Sequence, residues 1–96
     1  MPLVQNVLVT GASRGLGLAI VRSLLTEGVS VIGLSRKTSA ELETLVDNHA
    51  NQFRFFPLDL NDPGQLTAER FQNEICQQQP LHGLVNNAAF AYDDLI

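Results

Sequence analysis

The stretch that decides the fold is Thr10-Gly11-Ala12-Ser13-Arg14-Gly15-Leu16-Gly17, which follows a β-branched segment and opens an amphipathic one. Glycines suit a place where the chain turns sharply, a bound group approaches the backbone and a helix packs closely on a strand. The free N–H groups and positive dipole end of such a helix favour a phosphate. The spacing of Gly11 and Gly15 is not that of G-x-G-x-x-G, and no Gly-Lys-Ser/Thr follows as in a P-loop. The stretch therefore predicts a phosphate-binding strand–turn–helix unit.

Strands and helices alternate along the rest of the chain. β-branched and apolar runs predict strands over residues 5–10, 29–34, 53–58 and 83–86. The first helix covers 15–27 and ends before Gly28, a glycine at the position that terminates many helices. Its spacing of apolar residues predicts a sheet-facing stripe. The stripe consists of Leu16, Ala19, Ile20, Ser23 and Leu24.

Two further helices have recognisable start signals. Thr38 and Glu41 are spaced as a capping box, in which the hydroxyl caps the helix and the carboxylate reaches back. Asp62, Pro63 and Gln65 occupy the N-cap, N1 and N3 positions of a third helix, which is expected to run to about residue 79 and to stop at Pro80.

This alternation predicts the α/β class and a parallel sheet with right-handed crossovers. We expect a Rossmann-type doubly wound parallel sheet, incomplete, with strand order 3-2-1-4. In such sheets a ligand binds outside the carboxyl ends of the strands, where the chain reverses between strands one and four. Residues 1–96 are expected to form the N-terminal part of a single domain of this kind.

Composition narrows the classes of partner. The 96 residues carry six Lys or Arg and a net charge of −4, which disfavours nucleic acid and anionic membranes as partners. No targeting signal and no apolar run of membrane-spanning length is visible, so a cytoplasmic location is expected. The single cysteine, Cys76, lies at helical spacing from Phe71 and Ala68, which predicts a small core residue.

The glycine-rich stretch T-G-A-S-R-G-L-G resembles the T-G-x-x-x-G-x-G fingerprint of the short-chain dehydrogenase/reductase family. Asp59 matches the family aspartate that accepts from the adenine amino group. Asn86-Asn87-Ala88-Ala89 matches the N-N-A-G that steadies the sheet and lines the nicotinamide ribose, with Ala89 where glycine is usual. The resemblance covers the whole chain but only the first part of the family's length, and it implies an NAD(P)-binding domain. The implied cofactor-binding residues are Gly11, Ser13, Arg14, Gly15, Leu16, Gly17, Ser35, Arg36, Asp59, Leu60, Asn86, Asn87 and Ala88.

The end of the second strand indicates which dinucleotide is preferred. An acidic residue about 20 positions past the glycines would bind the ribose diol of NAD(H), but Leu34-Ser35-Arg36-Lys37 stands there. Ser35 can donate to a 2′-phosphate, Arg36 can bind it bidentately, and Arg14 can approach from the other side. We therefore expect NADP(H), with NAD(H) less favoured. The alternative is that Arg36 and Lys37 form a solvated loop pair.

Catalysis in the similar family runs through Tyr-x-x-x-Lys and an upstream serine. The only tyrosine is Tyr92, with Ile96 four residues on, and we expect it to lie in a loop. No catalytic residue is therefore expected in this chain, and His49 and His82 lack companions for a metal site. The resemblance implies the cofactor-binding portion of an NADP-dependent oxidoreductase acting on a carbonyl or alcohol substrate, similar to 3-oxoacyl-(acyl-carrier-protein) reductases and homo-oligomeric when complete. A standalone dinucleotide-binding or regulatory module is the alternative.

Overall fold

A computed structural model of the chain describes residues 5–59, 62, 64, 67–77 and 79–86. Four parallel strands form one sheet in the order β3-β2-β1-β4. Their bounds are β1 (Asn6–Thr10), β2 (Ser30–Ser35), β3 (Phe53–Pro57) and β4 (Gly83–Asn86). The predicted α/β class and strand order are confirmed, and each predicted strand agrees with the observed one to within one residue.

Helices connect the strands and cover the sheet. Their bounds are α1 (Gly15–Thr26), α2 (Ala40–Asn48) and α3 (Ala68–Arg70), the last continuing as a π-helical turn over Phe71–Ile75. The predicted stop of α1 is confirmed, because Gly28 has a φ of 82° and its N–H donates to Leu25 O at 3.1 Å. Val29 N donates to Leu24 O at 3.0 Å, which completes a Schellman motif. In the described part of the chain, no helix has the length and apolar character to cross a bilayer.

The face of α1 that meets the sheet differs from the predicted one. Leu16 is 60% exposed, and Ala19 and Ser23 are also exposed, whereas Ile20 and Leu24 are only partly buried. The buried residues are Gly17, Leu18, Val21 and Leu25. The prediction was wrong because two overlapping stripes of helical period run along this segment. Gly17 selects the observed one, since a residue without a side chain lets α1 approach the sheet closely.

The predicted cap of α2 was wrong by one residue. Ser39, not Thr38, is the N-cap, and its Oγ accepts from Leu42 N at 3.1 Å. The Thr38 hydroxyl instead donates to Ser39 O at 3.4 Å. Glu41 does not reach back to the cap, because its carboxylate pairs with Arg22 at 2.8 Å.

The predicted start of the third helix was also wrong. Asp62 Oδ1 accepts from Gly64 N at 3.0 Å, which closes a local turn, and the helix begins only at Ala68. Thr67 caps it by accepting from Arg70 N at 3.1 Å. Pro63 and Gln65 lie outside the described residues. The helical segment ends at Ile75, before the predicted residue 79, and Gln77 then takes a φ of 51° that no helix continues.

Apolar side chains cover both faces of the sheet, as a doubly wound fold requires. One core cluster joins the sheet to α1 and α2, and the other joins it to the segment of α3 and its π-helical turn. The first cluster contains Val9, Ala12, Leu18, Val21, Leu25, Val31, Leu42 and Phe53. The second contains Leu8, Ile32, Leu34, Leu58 and Ile75.

Cys76 is 5% exposed, which confirms the prediction of a core residue. Burial raises the pKa of its thiol above 9.0, and the charge of Arg54 lowers it by a smaller amount. Arg54 itself lies over the Phe56 ring, with Cζ 5.9 Å from the ring centroid. Its Nη1 is buried and has no hydrogen-bond partner among the described residues.

Replacing Gly33 on β2 by alanine should lower the free energy of unfolding by about 1–3 kcal/mol, because the site is already filled. An added Cβ would lie 3.0 Å from Phe53 Cε1 and 3.1 Å from Ala12 Cβ, both in the buried core. Gly83→Ala is the matched control, since its Cβ would meet Val7 Cγ2 at an ordinary 3.5 Å. Urea unfolding of both variants measures the difference. Equal changes in the two variants would contradict the steric explanation.

The raised pKa of Cys76 predicts a pH-dependent loss of stability. Because the thiol ionises more readily in the unfolded chain, its contribution is fully present below about pH 9.0 and falls as the pH rises towards the folded-state pKa. Unfolding free energies measured across that interval should therefore decline more steeply for the wild type than for Cys76→Ala. Parallel curves would show that burial does not hold the thiol in its neutral form.

Candidate functional site

The carboxyl ends of the four strands meet at one edge of the sheet. Thr10 at the end of β1 is in register with Leu34 of β2 and with Asn86 of β4. Ser35 at the end of β2 is in register with Pro57 of β3. The glycine-rich turn, the segment after β2, the segment after β3 and the end of β4 therefore share this edge, where ligands bind in doubly wound folds.

The glycine-rich turn is anchored to the end of β2. Gly11 N donates to Leu34 O at 2.8 Å, and Ala12 N donates to the same oxygen at 3.4 Å. Gly11 and Gly15 have φ values of 64° and 60°, a region that side chains disfavour. A Cβ at Gly15 would meet nothing within 4 Å, so this position is open and glycine is needed for its backbone conformation alone.

The N-terminus of α1 opens directly onto this edge. Arg14 is its N-cap residue, with extended backbone (φ −163°) and no hydrogen bond from its side chain to the helix. The first turn carries no acidic residue. An anion bound here would therefore receive free N–H groups and the positive end of the helix dipole.

Three serines connect the turn to the segment after β2. Ser35 Oγ lies 2.9 Å from Ser13 Oγ and 2.9 Å from Lys37 O, so its single hydrogen can serve only one of these contacts at a time. Ser39 Oγ donates to Ser13 O at 2.6 Å. Ser39 was not among the predicted site residues, because Thr38 beside it has the spacing of a helix cap.

Positive charge gathers at the same edge, and no described carboxylate pairs with it. Arg14, Arg36 and Lys37 are exposed, and none of them forms an ion pair with a described residue. Arg22 and Arg70 differ, since they pair with Glu41 at 2.8 Å and with Glu74 at 2.7 Å. Half of the chain's six basic residues are thus available to an anion at this edge.

Thr10 connects the glycine-rich turn to the end of β4. Its side chain is 5% exposed, and its Oγ1 lies 3.1 Å from Asn86 Oδ1 and 3.4 Å from Val85 O. The single hydroxyl hydrogen can serve only one of these acceptors at a time, and when it donates to Oδ1, the shorter contact, it orients the amide of Asn86. Its nitrogen donates to no described residue.

Only some of the remaining predicted site residues belong to the described part of the chain. Asp59 is half-buried just past β3, where Leu58 N donates to Ser35 O at 2.7 Å and so ties this segment to the end of β2. Gly17 is buried against the sheet, and the exposed Leu16 lies beside the open Gly15. Several predicted positions fall outside the described residues, namely Leu60, Asn87, Ala88, Ala89 and Tyr92.

Two concavities lie away from the glycine-rich turn. One of about 740 Å³ runs between α2 and β3, with Arg36 and Lys37 at one side and Glu43 and Asp47 in its wall. The other, of about 460 Å³, lies at the amino ends of the strands and includes Arg54 among its lining residues. Neither is lined by Ser13, Gly15 or Asn86. The carboxyl edge is an open surface in the described part of the chain, and its exposed N–H groups, hydroxyls and cations are what it offers to a ligand.

Known proteins resemble this chain in both sequence and fold. L-xylulose reductase from Caenorhabditis elegans is 33% identical over 94 residues, which are 96% of this chain and 36% of that protein. A 3-oxoacyl-[acyl-carrier-protein] reductase from Buchnera aphidicola is 34% identical over 94 residues, 96% of this chain and 37% of that protein. The chain thus spans little more than a third of the length of these relatives.

A crystal structure of a short-chain dehydrogenase from Streptomyces avermitilis superposes with a TM-score of 0.75 at 29% identity, over 88% of this chain and 31% of that one. The family model for short chain dehydrogenases matches residues 5–95. This match begins at the first strand and takes in every element of the carboxyl edge. The chain belongs to the short-chain dehydrogenase family.

Proposed function

We propose that this chain is the NADP(H)-binding portion of an oxidoreductase that reduces a carbonyl or oxidises an alcohol. The observation that carries the proposal is the set of cations, Arg14, Arg36 and Lys37, that form no ion pair with a described residue and lie at the same edge as the Ser13–Ser35 hydroxyl pair. The names of the relatives above, reductases of a ketose and of a 3-oxoacyl group, support the reaction class.

The geometry of the glycine-rich turn fits the pyrophosphate of a dinucleotide. Gly11 and Gly15 have positive φ values and carry no side chain that could cover the N-terminus of α1. A Cβ added at Gly15 would have no heavy atom within 4 Å. The uncapped N–H groups of that helix would then donate to the pyrophosphate oxygens. Gly17 lets the helix lie close to the sheet, and Leu16 would pack beside the bound cofactor.

The end of β2 fits a ribose carrying a 2′-phosphate. Arg36 would bind two phosphate oxygens, Arg14 would approach from the glycine-rich turn, and the hydroxyls of Ser13 and Ser35 would donate. NAD(H) is less favoured, because position 35 carries a hydroxyl rather than a carboxylate that could accept from a ribose diol.

The resemblance supplies the remaining contacts of the proposal. Asp59 would accept from the adenine amino group, with Leu60 beside the adenine, and Asn86, Asn87 and Ala88 would line the nicotinamide ribose. When bound, the nicotinamide would supply or take up the hydride. The chain's own part is to bind and orient the cofactor, with Thr10 able to donate to the amide oxygen of Asn86.

A second candidate is a standalone dinucleotide-binding or regulatory module. The two candidates share the cofactor site and differ in whether proton-transfer groups act beside it.

Exchanging Ser35-Arg36 for Asp-Ala should reverse the cofactor preference. Each charge-assisted hydrogen bond to the 2′-phosphate contributes about 1.5–3 kcal/mol, and solvent exposure brings this towards the lower end. The wild type should therefore bind NADPH at least about tenfold more tightly than NADH, and the variant should prefer NADH. Dissociation constants for both dinucleotides measure this.

Arg22→Ala is the matched control for that exchange, since it removes an exposed arginine from α1 away from the edge. It should leave the ratio of the two dissociation constants unchanged. A wild type that binds both dinucleotides equally, or favours NADH, would overturn the role of Arg36. The role of the glycine-rich turn would survive that result.

The 96-residue chain should show no oxidoreductase turnover by itself, because its sequence contains no Tyr-x-x-x-Lys pair. The measurement is the rate of NADPH oxidation with carbonyl substrates, set against the rate without substrate. Sustained substrate-dependent oxidation by the purified chain would show that other residues transfer the proton.

A further inference from the structure

We propose that Ser39 is a positioning residue for the dinucleotide site, which holds the glycine-rich turn in the conformation that receives the 2′-phosphate. Its one hydroxyl joins the N-terminus of α2, through Leu42 three residues on, to the backbone of Ser13, which lies 26 residues earlier in the sequence. The inference rests on the proposed function, because it concerns how that site is shaped.

Both hydrogen-bonding roles of the Ser39 hydroxyl are in use. Its oxygen accepts from Leu42 N at 3.1 Å, which caps α2, and its hydrogen goes to Ser13 O at 2.6 Å. Ser39 is half-buried, so water competes less for these bonds than at an exposed cap. An ordinary helix cap needs only the first of the two bonds.

The bond from Ser39 to Ser13 O connects the glycine-rich turn to α2, whereas Gly11, Ala12 and the Ser13 hydroxyl bond to β2. Leu34 O fixes Gly11 and Ala12, and the positive φ of Gly15 begins the turn into α1. Ser13 lies between these points. Its carbonyl is held by Ser39 and its hydroxyl by Ser35, so α2 and β2 together orient this residue.

This arrangement gives Ser39 a selective effect on the cofactor. In the proposed site Ser13 and its neighbour Arg14 contact the 2′-phosphate, whereas Asp59 and Asn86 contact the adenine and the nicotinamide ribose. Of these residues, Ser39 bonds only to Ser13, which is one of the two at the 2′-phosphate. Loss of its donor should therefore weaken binding of NADPH, and change binding of NADH little.

The test uses Ser39→Gly and Ser39→Thr in the full chain. Glycine caps helices almost as well as serine but has no donor, whereas threonine keeps both donor and acceptor. We expect Ser39→Gly to raise the dissociation constant for NADPH about three- to tenfold and that for NADH less than twofold. Ser39→Thr should restore the wild-type ratio.

Thr67→Ala is the matched control, because Thr67 caps α3 by accepting from Arg70 N and makes no bond to the glycine-rich turn. It should change stability and leave the ratio of dissociation constants unchanged. Amide hydrogen exchange at Gly11 and Ala12, whose N–H groups donate to Leu34 O, gives a readout without cofactor, and it should be faster in Ser39→Gly than in Thr67→Ala.

The outcomes separate this inference from the proposed function. If the wild type prefers NADPH and Ser39→Gly weakens both dinucleotides equally, or neither, the positioning role is overturned and the proposed function stands. If the wild type binds neither dinucleotide, the proposed function is overturned and this inference with it.

Discussion

The hydrogen bond from Gly11 N to Leu34 O, 2.8 Å long, is the contact on which the site depends. Because of this bond, the N–H of Gly11 keeps a hydrogen-bond partner where the chain leaves β1, passes the end of β2 and turns towards α1. Only a residue that tolerates a φ of 64° can make this crossing easily, so the first glycine of the turn has a backbone role. The open position at Gly15 and the exposed N-terminus of α1 follow from that crossing.

Three consecutive residues of β2 support the site in different ways. Gly33 leaves room for Ala12 and Phe53, which would otherwise collide with a side chain at 3.0–3.1 Å. Leu34 supplies the carbonyl that holds the turn, and Ser35 supplies the hydroxyl beside Ser13. Packing, backbone geometry and the proposed phosphate site are therefore coupled along one strand. A change that shifts β2 along its axis would disturb all three.

The sequence predicted the sheet well because each strand is a short β-branched or apolar run next to a turn signal. It predicted the glycine-rich turn because the required φ values select glycine. It did not predict which of two adjacent hydroxyl residues caps α2, since that choice depends on Ser13, 26 residues away. It also did not predict which face of α1 packs on the sheet, because the close approach at Gly17 determines that face. The cofactor-binding roles of all the predicted site residues remain predictions, and Leu60, Asn87 and Ala88 lie outside the described residues.

Arg54 shows that the fold is not optimised for stability at every position. It is partly buried, its Nη1 is buried without a hydrogen-bond partner among the described residues, and its Cζ lies 5.9 Å from the centroid of the Phe56 ring. Desolvating part of a guanidinium without a partner is costly, and apolar side chains of similar volume often serve as well or better in such places. Replacing Arg54 by an apolar side chain that packs on the second core cluster is therefore a route to a higher free energy of unfolding. It would leave every residue of the carboxyl edge unchanged.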